Sequence, residues 1–356
     1  MRVTLVSMDT HHRRDTPETR RRYRFAKRLL ARGHAVTICC RRWWDGDHPA
    51  FEQDGIEYRA VVGEHSGGFG SKLPFVLRKA DPDVVHVPNS PVKHARAAAR
   101  ACRLLRVPLV VRWWTPTPEA GDAAARKLAR RAARVIVPSQ LVETVVREYG
   151  TAEADVTRIP EGIDFPLIEE TPPEDRFDLV TSGRLDGDTD VETFLLALAE
   201  RRGRDWQAAV IGEGPALETA VRTAADLRID DRVAFLGDLS DRERVAVFKG
   251  AHVFTQTDTV APFATELLWA LACGCVGIAQ YHVDSAAHEL VEEKSRLPGT
   301  RGELVSSPQE LAAAIDAAGD HEHRTVDEAY ARYDHDTVVS QYVGCYRQAI
   351  EDYGLF

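Results

Sequence analysis

Apolar residues in this chain fall into short runs bounded by polar turns, separated by longer stretches in which apolar positions recur every three to four residues. Runs of the first kind read as strands buried on both faces, and stretches of the second kind as helices packed by one face. Residues 2–7 (RVTLVS) give a first strand. After a polar loop, Thr16-Pro17-Glu18 opens a helix to about residue 32, with threonine as N-cap and proline in the first turn. Gly33 ends it, and residues 35–40 form the next strand. Further strands are predicted at 56–62, 83–87, 108–112 and 134–137, with helices at 92–105, 122–132 and 141–149.

Residues 165–175, with prolines at 166, 172 and 173, read as a linker, and then the pattern restarts. Strands at 178–182, 207–211, 232–236, 252–255 and 276–279 alternate with helices at 191–199, 216–227, 241–248 and 265–273. Helices at 285–291 and 308–317 follow, and the tail is apolar at helical spacing through Val338, Val339, Tyr342, Tyr346 and Ile350. This alternation predicts an α/β chain of two doubly wound, Rossmann-like domains, 1–165 and 166–333, with a final helical segment at 334–356. Two such sheets in succession predict a cleft where carboxyl ends of strands and helix N-termini converge.

Length and composition agree with two soluble domains: 356 residues, 44% hydrophobic and 28% charged. No apolar run is long enough to span a bilayer, and residues 1–7 lead into a strand rather than a signal peptide. The six cysteines show neither a disulfide framework nor a metal-ligand spacing, which predicts reduced thiols, a cytoplasmic location and no metal site. Net charge is −9, but residues 1–165 carry 29 Lys+Arg against 19 Asp+Glu, while the remainder carries 17 against 36. Basic stripes at Arg20–Arg32, Arg96–Arg106 and Arg126–Arg134 point to an anionic partner for the first domain. An acidic membrane surface fits better than nucleic acid, because no recognised nucleic-acid module accompanies the charge.

Three strand-to-helix turns of the second domain carry glycine or small residues: Ser182-Gly183-Arg184, Gly212-Glu213-Gly214-Pro215, and the loop 262–265. Gly183 permits close backbone approach to a ligand, and Arg184 offers a forked cation matched to phosphate. Pro262 before the helix at 265–273 and Gly274 after it frame a helix whose N-terminus would attract an anion.

The set RVIVPS (134–139), IPEGID (159–164), SGRL (182–185), VIGEGP (210–215), VAFLG (233–237) and PFATELLWALACG (262–274) resembles the retaining glycosyltransferases of family 4, of GT-B fold. RGHAV (32–36) and DVVHV (83–87) fit the same family's first domain. The resemblance implies that the second domain binds a nucleotide-diphosphate sugar, that the first receives a glycan or lipid-linked acceptor, and that the last helix crosses back to the first domain. It places Gly183 and Arg184 at the donor diphosphate, Gly212 and Glu213 beside the nucleotide, and Leu236 and Gly237 at the base. Phe263, Ala264 and Thr265 fall at the diphosphate and sugar. No resident cofactor is implied.

The chain departs from that pattern where chemistry is concentrated. The family's two glutamates are replaced by Ala261 and Trp269, its lysine after the Gly-Arg pair by Thr189, and its Pro-Asn-Gly asparagine by Glu161. Glu266, one turn before Trp269, is the carboxylate left to bond a sugar or ribose hydroxyl, or it is a dipole partner of its helix. Lys249 and Arg184 are the cations that remain in the second domain's donor region. His86, at the end of a strand, either reaches the cleft as a catalytic group or packs in the core. His11 and His12, Trp43-Trp44 and Trp113-Trp114-Thr115-Pro116 stand at strand ends, as sugar contacts or as core. Two functions therefore stand open. One is a hexosyltransferase in the cytoplasm, or at the inner face of the membrane, acting with retention. The other is a catalytically degenerate GT-B protein that binds nucleotide sugar or scaffolds glycan assembly.

Overall fold

A computed structural model describes residues 1–63, 67–114, 122–295 and 301–354. The chain forms two compact units, one of residues 1–160 with 336–356 and one of residues 161–335.

In the first unit, strands β1 (Arg2–Val6), β2 (Ala35–Arg41), β3 (Ala50–Gln53) and β4 (Ile56–Val62) are followed by β5 (Val84–Pro88), β6 (Leu109–Arg112), β7 (Arg134–Val137) and β8 (Val156–Arg158). They form one sheet in the order β3-β4-β2-β1-β5-β6-β7-β8, parallel except for the antiparallel β3–β4 pair. Helix α1 (Pro17–Ala31) links β1 to β2, while α2 (Phe69–Ala80), α3 (Val92–Leu105), α4 (Asp122–Ala129) and α5 (Gln140–Glu148) make the later crossovers. Crossovers of this kind cover both faces, which is why the central strands are continuously apolar. Leu73, Leu77, Ala98, Leu128 and Val142 of α2–α5 pack one face of the sheet. Ala26 and Leu29 of α1 pack the other, against Val338, Tyr342 and Tyr346 of the C-terminal segment.

The second unit opens with α6 (Phe165–Glu170) and continues through β9 (Leu179–Ser182), α7 (Val191–Glu200), β10 (Ala208–Ile211), α8 (Leu217–Asp226) and β11 (Val233–Gly237). Then come α9 (Asp241–Gly250), β12 (Val253–Gln256), β13 (Val260–Ala261), α10 (Thr265–Ala272), β14 (Val276–Gln280) and β15 (Asp284–Ser285). Helix α11 (Ala287–Ser295), strand β16 (Gly302–Val305) and helix α12 (Pro308–Ala318) complete it. The parallel sheet runs β11-β10-β9-β12-β14-β16, so consecutive strands diverge on either side between β9 and β12. Loops leaving the carboxyl ends of such neighbours separate and leave a crevice, the usual ligand position of an open α/β sheet.

Helix α13 (His335–Gly354) returns to the first unit. It buries Val338, Val339, Tyr342, Val343, Tyr346 and Ala349 in the core that β1, β2 and α1 share. Buried Arg134 of β7 pairs with Asp352 near its end and with Asp155. The six cysteines are all free and buried.

Two segments correct the sequence expectation. Residues 165–170 are helix, not linker: Asp164 accepts from the Leu167 N–H as N-cap, and Pro166 sits in the first turn, where no N–H is needed. Helix α2 was not anticipated, because Gly68, Gly70 and Pro74 give residues 67–74 the composition of a loop. Burial of Phe69, Leu73 and Leu77 outweighs that composition.

Candidate functional site

The turns singled out in the second unit meet at the carboxyl ends of β9, β10 and β11. Gly212 has φ +126°, and a β-carbon there would lie 1.9 Å from the Gly183 carbonyl oxygen. Its N–H donates to the Gly237 carbonyl at 2.8 Å, so three glycines bring three strand ends into backbone contact. A β-carbon on Gly214 would stand 2.0 Å from the Leu185 oxygen. The Glu213 carboxylate lies 3.5 Å from the β-carbon position of Gly237, and Leu236 is half-buried beside it. These contacts need bare backbone, which is the physical content of the glycine spacing.

Glu266 joins this group from α10. Its Oε2 accepts from the Ser182 hydroxyl at 2.9 Å and its Oε1 from Arg244 Nη1 at 3.0 Å. Arg244, on α9, also donates to Asp241 at 3.1 Å and stands 5.1 Å over the ring of Trp269. Trp269 thus occupies the place of the missing carboxylate as a shelf for the cation that pairs with Glu266. The cap of α10 is Ala264, which supplies no side-chain acceptor to the first turn, and Thr265 and half-buried Phe263 flank it. Ala261, in the other glutamate position, is buried on the small β13–β15 ladder.

Arg184 is exposed and held by Asp186 at 2.8 Å. The position expected to carry a lysine, Thr189, has instead joined a polar cluster: its hydroxyl is 2.6 Å from the Arg184 carbonyl and 2.7 Å from Asp258 Oδ1. Asp258 follows β12 and lies 3.6 Å from the β-carbon position of Gly183. Burial pushes its carboxyl up to about 6, with Glu266 and Asp186 adding to the rise and bonds from Thr189 and Gln256 opposing it.

Lys249 is not part of this site. It is 4% exposed and donates to the carbonyls of Ile168 at 2.7 Å and Thr171 at 2.6 Å, closing the C-terminus of α6. Its place as second cation is taken by Arg244, which the sequence reading did not single out. Asp258 escaped it as well, although an acid just past the carboxyl end of a central strand is a readable signal.

His86 lies in the first unit, on β5. Its Nδ1 and the Tyr346 hydroxyl are 2.5 Å apart, and its ring stacks on Tyr342 at 5.9 Å. Burial, with Arg112 and Arg22 nearby, lowers its pKa to about 3, so the ring is neutral. The contacts give it a positioning role, holding α13 to the sheet. His11 and His12 enter an aromatic group in which His12 stacks on Trp43 at 4.1 Å and Tyr58 stands edge-on to Trp43 at 5.2 Å. Trp44 and Trp113 are buried, Trp114 lies under Arg112 at 4.3 Å, and Thr115 and Pro116 fall outside the described residues. A cavity of about 390 Å³ in the first unit is lined by Arg42, Pro49, Val62, Lys72, Phe75 and Val76, among others.

Among the described residues no helix is long and apolar enough to cross a membrane, and no cluster of His, Cys, Asp and Glu is arranged to hold a metal ion.

Comparison with known proteins adds two family matches, Glycosyltransferase Family 4 over residues 19–165 and Glycosyl transferases group 1 over residues 167–333. An alpha-monoglucosyldiacylglycerol synthase of Streptococcus pneumoniae is 25% identical over 200 residues, spanning 51% of this chain and 43% of that protein. Among solved structures, sucrose-phosphate synthase from Thermosynechococcus elongatus superposes with a TM-score of 0.72 at 18% identity, over 98% of this chain and 99% of that one. Anabaena HepE in complex with UDP gives 0.73 at 19% identity, over 97% and 99%. The lipopolysaccharide outer core galactosyltransferase WaaB gives 0.74 at 17%, over 97% and 99%.

Proposed function

Because the chain carries these two glycosyltransferase domains in order, and so is a glycosyltransferase of GT-B type, we propose that it moves a hexose-type sugar from a nucleotide-diphosphate sugar to a glycan or lipid-linked acceptor with retention of configuration. The observation that carries this reading is the convergence of Gly183-Arg184, Gly212-Glu213, Gly237 and the start of α10 at the strand ends of one sheet. Solved neighbours of the same fold hold UDP, and one holds UDP-glucose.

In the proposed transfer the bond from the anomeric carbon to the diphosphate oxygen breaks, and a bond to the acceptor oxygen forms on the same face. The acceptor proton leaves with the diphosphate. The protein's contribution is positioning and charge. Arg184 and the first turn of α10 face the growing charge on the diphosphate, and Glu266, oriented by Ser182 and Arg244, bonds a sugar or ribose hydroxyl. To engage phosphate, Arg184 must exchange its ion pair with Asp186. No resident cofactor enters this scheme.

The alternative, a degenerate donor-binding protein, is favoured by the Thr189–Asp258 pair, which puts a carboxyl group where a cation is expected. A thermal-shift screen of UDP-, ADP-, GDP- and dTDP-sugars, followed by product detection with membrane lipid and glycan acceptors, separates the two. Turnover supports the transferase; tight donor binding without product under every acceptor overturns it in favour of the alternative. Arg184→Ala is expected to lose donor binding while leaving the melting profile unchanged.

A further inference from the structure

Three carboxylates stand around the Gly183-Arg184 turn, and two of them have cations. Asp186 pairs with Arg184 at 2.8 Å, and Glu266 with Arg244 at 3.0 Å. Asp258, whose Oδ1 is 3.6 Å from the β-carbon position of Gly183, has none: among the described residues no cation lies within ion-pair distance of it. Its partners are neutral donors, the Thr189 hydroxyl at 2.7 Å on Oδ1 and the Gln256 Nε2 at 2.5 Å on Oδ2. Glu266 and Asp186 are close enough to raise its pKa, so its charge is opposed rather than balanced. A half-buried carboxylate in that setting costs free energy unless a cation reaches it.

Gln256 supplies a second, independent mark. It is 3% exposed at the end of β12, its amide nitrogen is committed to Asp258, and its Oε1 has no hydrogen-bond partner. Both atoms belong to one planar amide, so the orphan oxygen lies beside the Asp258 carboxylate. A buried amide oxygen with no donor is as unfavourable as the unpaired charge next to it. The pair therefore lacks a group that carries positive charge and has several hydrogens to donate. An ammonium does both, whereas a hydroxyl supplies one hydrogen and leaves the charge. A metal ion would need further ligands, and among the described residues no cluster of His, Cys, Asp and Glu is arranged to provide them.

We propose that Asp258 and Gln256 form a subsite for the ammonium group of an amino sugar carried on the nucleotide donor. The inference rests on the reading of this unit as the donor site, in which Gly183-Arg184 meets the diphosphate. The Asp258 charge opposes that diphosphate, so the cation that relieves it belongs on the sugar next to those phosphates. A donor with a neutral sugar meets the carboxylate unrelieved.

Titration calorimetry of the full chain at pH 7 tests this. The ligands are UDP- and dTDP-linked hexoses with an amino group at C2, C3 or C4, each against its hydroxyl counterpart, with the N-acetylated sugars as uncharged controls. One amino-sugar nucleotide is expected to bind about 10- to 100-fold more tightly than its counterpart, the range of a charge-assisted hydrogen bond. Asp258→Asn should bring the two to within about twofold of each other, and Gln256→Leu should cut the preference about threefold or more. Binding of UDP alone to each variant reports that the donor turns remain folded. Equal affinity within every pair, tighter binding of the N-acetylated sugar, or a preference that survives Asp258→Asn overturns the subsite and leaves the donor reading standing. So does a preference for glucosamine over glucose when each is offered free beside UDP, which would put the cation on the acceptor. No binding of any nucleotide or nucleotide sugar overturns both.

Discussion

The Ser182 hydroxyl donates to Glu266 Oε2 across 2.9 Å, joining positions 84 residues apart in the chain, while Arg244 holds the other carboxylate oxygen. Glu266 is therefore held in one orientation, with a cation against it, before any ligand arrives. Glu266→Gln keeps the shape and removes the charge. It is expected to weaken nucleotide-sugar binding 10- to 100-fold, the range of a charge-assisted hydrogen bond. Titration calorimetry with the nucleotide sugar and with the bare nucleoside diphosphate separates the partners: loss confined to the sugar nucleotide means a sugar hydroxyl, and equal loss means the ribose. Unchanged affinity for both removes Glu266 from the site.

Asp258 gives the second unit a pH dependence of defined sign. Its folded pKa of about 6 exceeds the ordinary 3.8, so the native state keeps a proton that the unfolded chain has already lost. Stability falls as pH rises through that window, and the penalty is complete above pH 6. Asp258→Asn is expected to stabilise the second unit by up to about 3 kcal/mol at pH 7.5 and by little at pH 4. Calorimetric scans at both values check it. The ionised carboxylate beside Gly183 also opposes a diphosphate, so donor binding should weaken as pH rises through 6 in the wild type and stay flat in the variant.

His86 acts with the opposite sign on the first unit. Its folded pKa, near 3, lies below the ordinary 6.5, so stability is present above pH 6.5 and is lost as pH falls toward 3. Tyr346→Phe removes its hydrogen-bond partner and should cost about 1–2 kcal/mol at neutral pH. Replacing both, His86→Leu with Tyr346→Phe, should flatten the acid limb. Urea midpoints at pH 7.5 and 5 report both effects, and an acid limb as steep as in the wild type would sink the assignment.

The backbone junction of the donor turns predicts a sharp contrast between two glycines. Gly212→Ala forces a β-carbon onto the Gly183 oxygen at positive φ and is expected to destabilise the second unit by more than about 3 kcal/mol. Gly187→Ala, with nothing within 4 Å, should stay within about 0.5 kcal/mol. Thermal melting distinguishes them directly.

The alternation of strands and helices was readable because buried parallel strands leave runs of Val, Ile and Leu, as at residues 109–111 and 135–137. Helix α2 was hidden by the loop-like composition of residues 67–74, a local signal that burial of Leu73 and Leu77 overrides. The glycines of the donor turns were readable from spacing because each answers to a backbone requirement. The polar pairs were not. Ser182 with Glu266, Thr189 with Asp258, and Arg244 over Trp269 are joined only by strand order, and no local pattern marks them. For the same reason Lys249, attractive as a cation on paper, proved to be the cap of a neighbouring helix.

The return of α13 to the first sheet bears on how the chain is made. The ribosome emits the eight strands of the first unit early, yet the helix that completes the core around Val3, Ile38 and Tyr58 emerges only after the whole of residues 161–335. At ordinary rates of synthesis that interval is on the order of ten to forty seconds. During it an apolar groove stands open on a nascent sheet while its neighbour folds. Nascent-chain proteolysis should therefore find the second unit protected first, in reverse of the order in which the two begin.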